Sequence, residues 1–570
     1  PRPPAAGAPI PVAPPCAPRG TPGPGGVTVL PRERSSDRAV AVLRARERGY
    51  ASTMDRPGGA WRAGFLAGAA TAVVGSLFAW LGVVNGDEGW YGLAAQAVTH
   101  GRLPYRDFAF AQGPVYPYVL SPFVWLWPNV AMTRMVSVAL ASVAVGLLVA
   151  AAHRHSGRLG AIAATVTLAA LFPSLTYWLA VTKTYALCFL LVVTIVVLLL
   201  AGRPERNLPL VAVVAVVLGV TRTTGLAITA LVVLAVLVRA PNPATRKRIG
   251  AAAALTALPF VGYAAIEWNR VRWNLFDYHH LSNHRDPGAG KYVSRSVAVL
   301  QAWPGAMFLA LATLIAVVVS PAGRRLLRRR LDLVAVVVGC IGFVVLHESG
   351  SVFFSEEYLS PVMGLVVVGC AVLLVRLALD HRGHGHERAA RATIAVLVIG
   401  IVATASTGGH SDYLGAPGWN GSIAGLDPVV RCVDAHSRPS DTVLALYLEE
   451  VVLQSRRHPV PGVSLGAFSY QSISSRDARR LHILNQALLA DTLQRHPPKV
   501  MVLTPFDFDE FARGGWFSRK YVSRASLDAQ FLKYDHVCTA YVTRHVFENN
   551  RVKVDVYALR PVGLPPVGSP

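Results

Sequence analysis

The chain has 570 residues, 53% hydrophobic and only 15% charged, with a mean hydropathy of +0.41, which excludes a soluble enzyme of ordinary composition and marks a polytopic membrane protein. Its 55 Lys and Arg outnumber its 32 Asp and Glu, for a formal charge of +23. The basic residues sit largely in short clusters between apolar runs, a pattern of membrane orientation rather than of a nucleic-acid partner.

Residues 1 to about 60 are rich in Pro, Gly and Arg and lack an apolar period, so they read as a disordered basic cytoplasmic tail. Met54 stands just before "DRPGGAWRAGFLAGAATAVVGSLFAWLGVV", a basic lead into a long apolar run, and is a candidate start. That run is too long for a removable signal peptide and reads as a retained first span. Further apolar stretches recur at about 131–152, 159–178, 184–201, 208–220, 224–238, 249–266, 298–319, 331–346, 358–377 and 392–406, making eleven spans with the first. Short basic joins such as "GRPERN" and "PAGRRLLRRR" alternate with longer loops that carry carboxylates and aromatics. By the positive-inside rule the basic joins and the N-terminus are cytoplasmic, and the long loops and everything after about residue 407 lie outside. The expected organisation is a tail (1–60), a transmembrane catalytic region (61–406) and a small extracytoplasmic α/β domain (407–570).

In that last region "DTVLALYLEE", "KVMVLTP", "DHVCTAYV" and "VKVDVYALRP" read as strands of a mixed sheet, and "SSRDARRLHILNQALLADTLQRH" has the apolar spacing of a helix. The six cysteines contain no C-x-x-C and no zinc spacing. Cys432 and Cys538 both fall in the outer region, where a disulfide and two buried thiols are equally open readings.

The loop after the first span opens with "NGDEGWYG", where Asp87 and Glu88 leave the membrane together and Tyr91 lies at i+4 from Asp87. Acids at a membrane surface are costly unless solvated or used, so Asp87 either caps the next helix or does chemistry. Farther on, "GRLPYRDF" places Tyr105, Arg106 and Asp107 beyond a Gly/Pro turn, and "AQGPVYPY" sets Gln112 ahead of a proline-rich helix start.

The order of acidic pair, helix, G-x-x-x-Y-x-D and a Pro- and Tyr-rich helix start resembles the GT-C membrane glycosyltransferases, in the branch of the protein O-mannosyltransferases and the lipid A aminoarabinose transferase. "GVTRTTGL" resembles the short T-K-x-T-G break of that group, with Arg222 in place of the usual Lys, and "FFSEEYLSPVMGLVV" resembles its R-Y-L-x-P motif, with Glu357 in place of Arg. The resemblance implies an α-helical polytopic GT-C-like fold of about eleven transmembrane helices with an outer α/β domain, in a bacterial plasma membrane. It implies transfer of a hexosyl or pentosyl unit, with mannose and arabinose as candidates, from a polyprenyl-phosphate donor to an envelope glycan, lipid or protein.

A hydroxyl acceptor must lose its proton as it attacks the anomeric carbon, and Asp87 matches the first acid of the family's pair; this implies Asp87 as base and Glu88 as a positioning partner or second ligand. The lipid phosphate leaves as an anion and calls for fixed positive charge, for which Arg222 and Lys183 are the candidates, Lys183 reading equally as an interfacial snorkelling lysine. Tyr91, Tyr105, Arg106, Asp107 and Gln112 are substrate-binding candidates in the first loop; His279, His280 and Arg285 in "FDYHHLSNHRDPGAGK"; and Glu348 and Tyr358 in "HESGSVFFSEEY". No organic cofactor is implied, and a divalent metal on the clustered histidines stays open. The rival readings are a transporter or flippase of lipid-linked sugars and an inactive glycan-binding relative; the absence of an internal repeat speaks against transport.

Overall fold

The computed structural model describes residues 57–172, 174–201, 204–279, 303–350, 356–407, 422–513, 530–543 and 551–561, with isolated residues between 294 and 301. The tail up to residue 56, Met54, His280 and Arg285 lie outside the described residues. Helices dominate, in the order α1 (Pro57–Leu81), α2 (Glu88–Thr99), α3 (Val115–Leu126), α4 (Val130–Ala170), α5 (Ser174–Ala180), α6 (Tyr185–Leu200), α7 (Pro204–Thr221), α8 (Leu226–Arg239) and α9 (Pro243–Ile266). After the segment 268–279 follow α10 (Pro304–Val319), α11 (Pro321–Arg329), α12 (Leu331–Gly350), α13 (Ser360–Gly383) and α14 (Glu387–Thr407).

Where described, each apolar stretch of the sequence is largely helical, but the count of crossings differs. Among the described residues six helices are long and apolar enough to cross a membrane, or up to eight when each of two bent pairs is taken as one span, against the eleven expected. The difference is physical: two expected spans belong to α4, which kinks at Ser156 and Gly157, and α7 and α8 are short helices that meet at a break. The bent pairs are α5 with α6, at 105° to each other, and α10 with α11, at 96°.

The C-terminal residues form a mixed five-stranded sheet of order β2-β1-β3-β5-β4, with strands β1 (Thr442–Leu444), β2 (His458–Pro459), β3 (Val500–Leu503), β4 (Tyr534–Thr543) and β5 (Arg551–Leu559). β1 runs parallel to β2 and β3, whereas β5 is antiparallel to β3 and β4. "DTVLALYLEE" is strand only to Leu444, and its acids open the short helix α16 (Glu449–Gln454), which follows α15 (Asp427–His436). The expected long helix over residues 474–496 is two, α17 (Ser475–Leu481) and α18 (Gln486–Arg495), because His482 takes a left-handed conformation that ends the first and Asn485 caps the second. Cys432 on α15 and Cys538 on β4 are joined in a disulfide with Cα atoms 6.7 Å apart. The sheet and its helices share one continuous apolar core with Trp90, Tyr91, Phe110 and Tyr116 of the segment that follows α1. The C-terminal residues are therefore packed onto the elements that carry Asp87, and α16 lies directly against the start of α2.

Candidate active site

A buried guanidinium holds the loop between α1 and α2 in place. Arg134, one turn into α4 and 1% exposed, donates to the carbonyls of Ala79, Gly82 and Val83 at 3.1, 3.0 and 2.7 Å, satisfying groups that a helix end leaves orphaned. Its other edge meets Glu88 in a two-point contact, Nε to Oε2 at 2.7 Å and Nη2 to Oε1 at 2.5 Å. Glu88 also accepts from the backbone N–H of Asn85 and of Thr182 and is completely buried. Burial alone would raise its carboxyl, but the Arg134 charge and hydrogen bonds outweigh it and hold Glu88 below the ordinary carboxylate range. Every oxygen of Glu88 faces protein, so it stands in the scaffold rather than beside a substrate.

Asp87 does not cap α2 with its side chain. Its carboxylate instead meets the Lys183 ammonium at 2.8 Å, and its side chain keeps 28% exposure. Lys183 lies in the bend between α5 and α6 and binds Glu357 as well, at 2.6 Å. It is 2% exposed, which rules out a snorkelling position, and two carboxylates already face its one positive charge. The Glu that replaces an expected Arg at 357 is thus the second anchor of an Asp–Lys–Glu row whose Asp87 end stays partly open.

Arg222 is the contrasting cation. The chain is extended there between α7 and the turn Thr223–Gly225, so the break in the helix aims the side chain inward. Its Nη1 donates to Thr184 Oγ1 at 2.6 Å, its Nη2 lies 3.2 Å from His347 Nδ1, and its Cζ stands 4.9 Å from the centre of the Tyr185 ring. Lys183 Nζ lies 5.6 Å from the same ring, so one tyrosine links the two cations. Arg222 is 3% exposed; among the described residues no carboxylate forms an ion pair with it, and its Nε has no partner. His347 in turn stacks on Tyr358 with ring centres 3.8 Å apart, next to the buried Glu348. Tyr91, fully enclosed on α2, has its phenol raised by burial, with Arg222 pulling it down and Asp87 pushing it up, and it stays neutral.

Other candidates frame the loop rather than join this cluster. Tyr105, at a φ of 68°, is buried and donates its hydroxyl to the Gln112 carbonyl at 2.6 Å. Arg106 and Asp107 pair with each other at 3.0 Å on the outside, and the Arg106 hydrogen bond holds the Asp107 carboxyl low. The loop is suspended from Asn274 Oδ1, which accepts from Phe110 N–H at 2.8 Å, from Ser464, which donates to the Ala109 carbonyl at 2.9 Å, and from His279, whose Nε2 lies 3.1 Å from the Ala111 carbonyl. Burial brings the His279 imidazole down to about 4, with Arg222 adding to the effect. Gly113 lets the loop touch the break: a Cβ there would stand 1.8 Å from the Val220 carbonyl oxygen. Among the described residues no group of three or more His, Cys, Asp or Glu side chains is arranged to hold a metal ion.

Arg134, Thr184, Tyr185 and the pairing of Glu357 with Lys183 are not among the candidates that the sequence offers. Arg134 had a visible signal, a lone arginine in the otherwise apolar "VAMTRMVSVALASVAV". The others depend on contacts between residues far apart in the chain.

Compared with known protein families and with curated proteins, the chain matches none. It does match solved structures of ArnT from Cupriavidus metallidurans. The apo structure is 12% identical at a TM-score of 0.52, covering 86% of this chain and 97% of ArnT. A second, bound to undecaprenyl phosphate, is 13% identical with the same TM-score and coverage. At such identities the likeness establishes a shared fold: a polytopic helical body with a small C-terminal sheet.

Proposed function

We propose that the chain is a membrane glycosyltransferase that moves a sugar from a polyprenyl-phosphate donor to a hydroxyl of an envelope acceptor, with the C-terminal region and the site on the outer face and the N-terminus in the cytoplasm. The observation that carries this reading is a partly open carboxylate, Asp87, held by Lys183, beside a buried arginine, Arg222, that has no ion-paired carboxylate, with the Tyr185 ring facing both cations. A guanidinium buried without an ion-paired carboxylate is costly and stands ready for an anion that arrives with the substrate. The undecaprenyl phosphate in the ArnT structure of the same fold supports a lipid phosphate as that anion.

In this reaction the acceptor oxygen forms a bond to the anomeric carbon while the bond from that carbon to the phosphate oxygen breaks. The electron pair leaves with the phosphate, and the hydroxyl proton passes to the Asp87 carboxylate, which Lys183 holds in position from behind. Arg222 compensates the charge that develops on the leaving phosphate, and Thr184 and His347 fix its guanidinium for that purpose. Glu357 acts through Lys183 and is a positioning residue.

The test is transfer of labelled sugar from polyprenyl-phosphate donors to extracted envelope acceptors by the full chain in lipid, beside the D87N variant. Consumption of one donor by the wild type and not by the folded variant supports the reading. Movement of labelled lipid-linked sugar across vesicles with no transfer would replace it with the flippase reading.

A further inference from the structure

Away from Asp87 a cleft of about 320 Å³ opens between the chain that follows α2 and the C-terminal residues, a size at the lower end of small-ligand sites, roughly 300–1,000 Å³. Phe108, Val460, Leu484 and Leu488 make its lining largely apolar, and Arg102, Asp107, Arg479 and Asp491 supply its charged groups. Those charges do not cancel. Arg106 takes both oxygens of Asp107, at 3.1 and 3.0 Å, and Arg495 pairs with Asp491 at 2.8 Å. Arg102 reaches only the backbone carbonyl of Asp107 and lies 6.0 Å from the Phe108 ring centre, and Arg479 forms no ion pair among the described residues. Two cations therefore stand unneutralised over an apolar lining.

Two further observations point to an occupant. His482, half-buried at the left-handed end of α17 and hydrogen-bonded to the Arg106 backbone, lines the cleft, and its Nε2 has no hydrogen-bond partner. The cleft also adjoins the end of a candidate span: Tyr263, in the last turn of α9, donates its hydroxyl to the Pro104 carbonyl, between Arg102 and Asp107, and Arg270 just beyond α9 donates to the Arg480 carbonyl at 2.9 Å. A cationic rim, an apolar lining and a position beside a membrane helix are complementary to an anionic amphiphile and to neither a neutral glycan nor a free anion.

We propose that this cleft binds an anionic phospholipid, its phosphate between Arg102 and Arg479 with His482 Nε2 as a third contact, and its apolar part against Phe108, Val460 and Leu484. This site is separate from Asp87 and does not depend on glycosyl transfer.

The experiment uses the full chain in neutral detergent and measures binding of a short-chain fluorescent phosphatidylglycerol, with phosphatidylcholine of equal chain length and inorganic phosphate as competitors. Saturable binding is expected, roughly a hundredfold weaker in R102Q/R479Q, as for loss of two charge-assisted contacts at about tenfold each, and absent in V460W, which fills the lining. D87N is expected to bind as the wild type does. Should V460W not fold, R102Q/R479Q decides alone, since both side chains are exposed. Equal binding by wild type and R102Q/R479Q, or competition by phosphatidylcholine or inorganic phosphate as strong as that of the anionic lipid, overturns the proposal.

Discussion

Replacing Arg134 by Met should destabilise the protein by about 3–5 kcal/mol, the size expected when one partner of a buried ion pair is removed and the other is left charged. The structure makes the upper part of that range the expectation. Glu88 would lose contacts of 2.5 and 2.7 Å in a fully buried setting, and the carbonyls of Ala79, Gly82 and Val83 would lose their donor. The double variant R134M/E88Q should recover a large part of the loss, because no uncompensated charge remains inside. E88Q alone should cost less than R134M, since Arg134 keeps its carbonyl acceptors. The assay is denaturation of the full chain in detergent, followed by tryptophan fluorescence, on all three variants and the wild type. A stable R134M, or a double variant less stable than R134M, would refute the anchoring role. Transfer activity should fall in every variant, since this pair sets where Asp87 emerges.

R222Q should reduce transfer by roughly 10²–10³-fold while leaving unliganded stability unchanged or higher, since it removes a buried charge that has no ion-paired carboxylate; a clear loss of stability would mark Arg222 as structural. G113A should cost about 1–3 kcal/mol and impair transfer, because its Cβ meets the Val220 carbonyl beside Arg222; normal activity with a normal denaturation midpoint would contradict that packing. His279 has a folded value depressed from 6.5 to about 4, so its contribution is present above about pH 6.5 and is lost as the pH falls toward 4. With the ring partly open, wild type and H279Q should diverge in stability by ~2 kcal/mol across that window, and parallel pH profiles would exclude the effect. C432S should lower stability by ~2–4 kcal/mol, given the 106-residue separation that the disulfide spans, and reduction should have no further effect on this variant.

Composition and hydropathy already determine a helical membrane body with a strand-containing C-terminal region, because burial of apolar runs and alternation of polar residues are local properties that each segment carries in its own sequence. The acidic pair at Asp87 and Glu88 and the break at Arg222 are legible for the same reason, since a charge among apolar residues stands out without knowledge of its neighbours. What sequence cannot assign is which charge meets which. The partners of Glu88, Lys183 and Arg222 lie 46, 174 and 125 residues away, so only the packing of α4, the α5–α6 bend and α12 separates a neutralised cation from an open one. Two adjacent carboxylates of like chemistry thereby receive opposite fates: Glu88 is sealed against Arg134, and Asp87 keeps an open edge beside Lys183, because a buried charge is tolerated only where the fold brings its counter-charge to it.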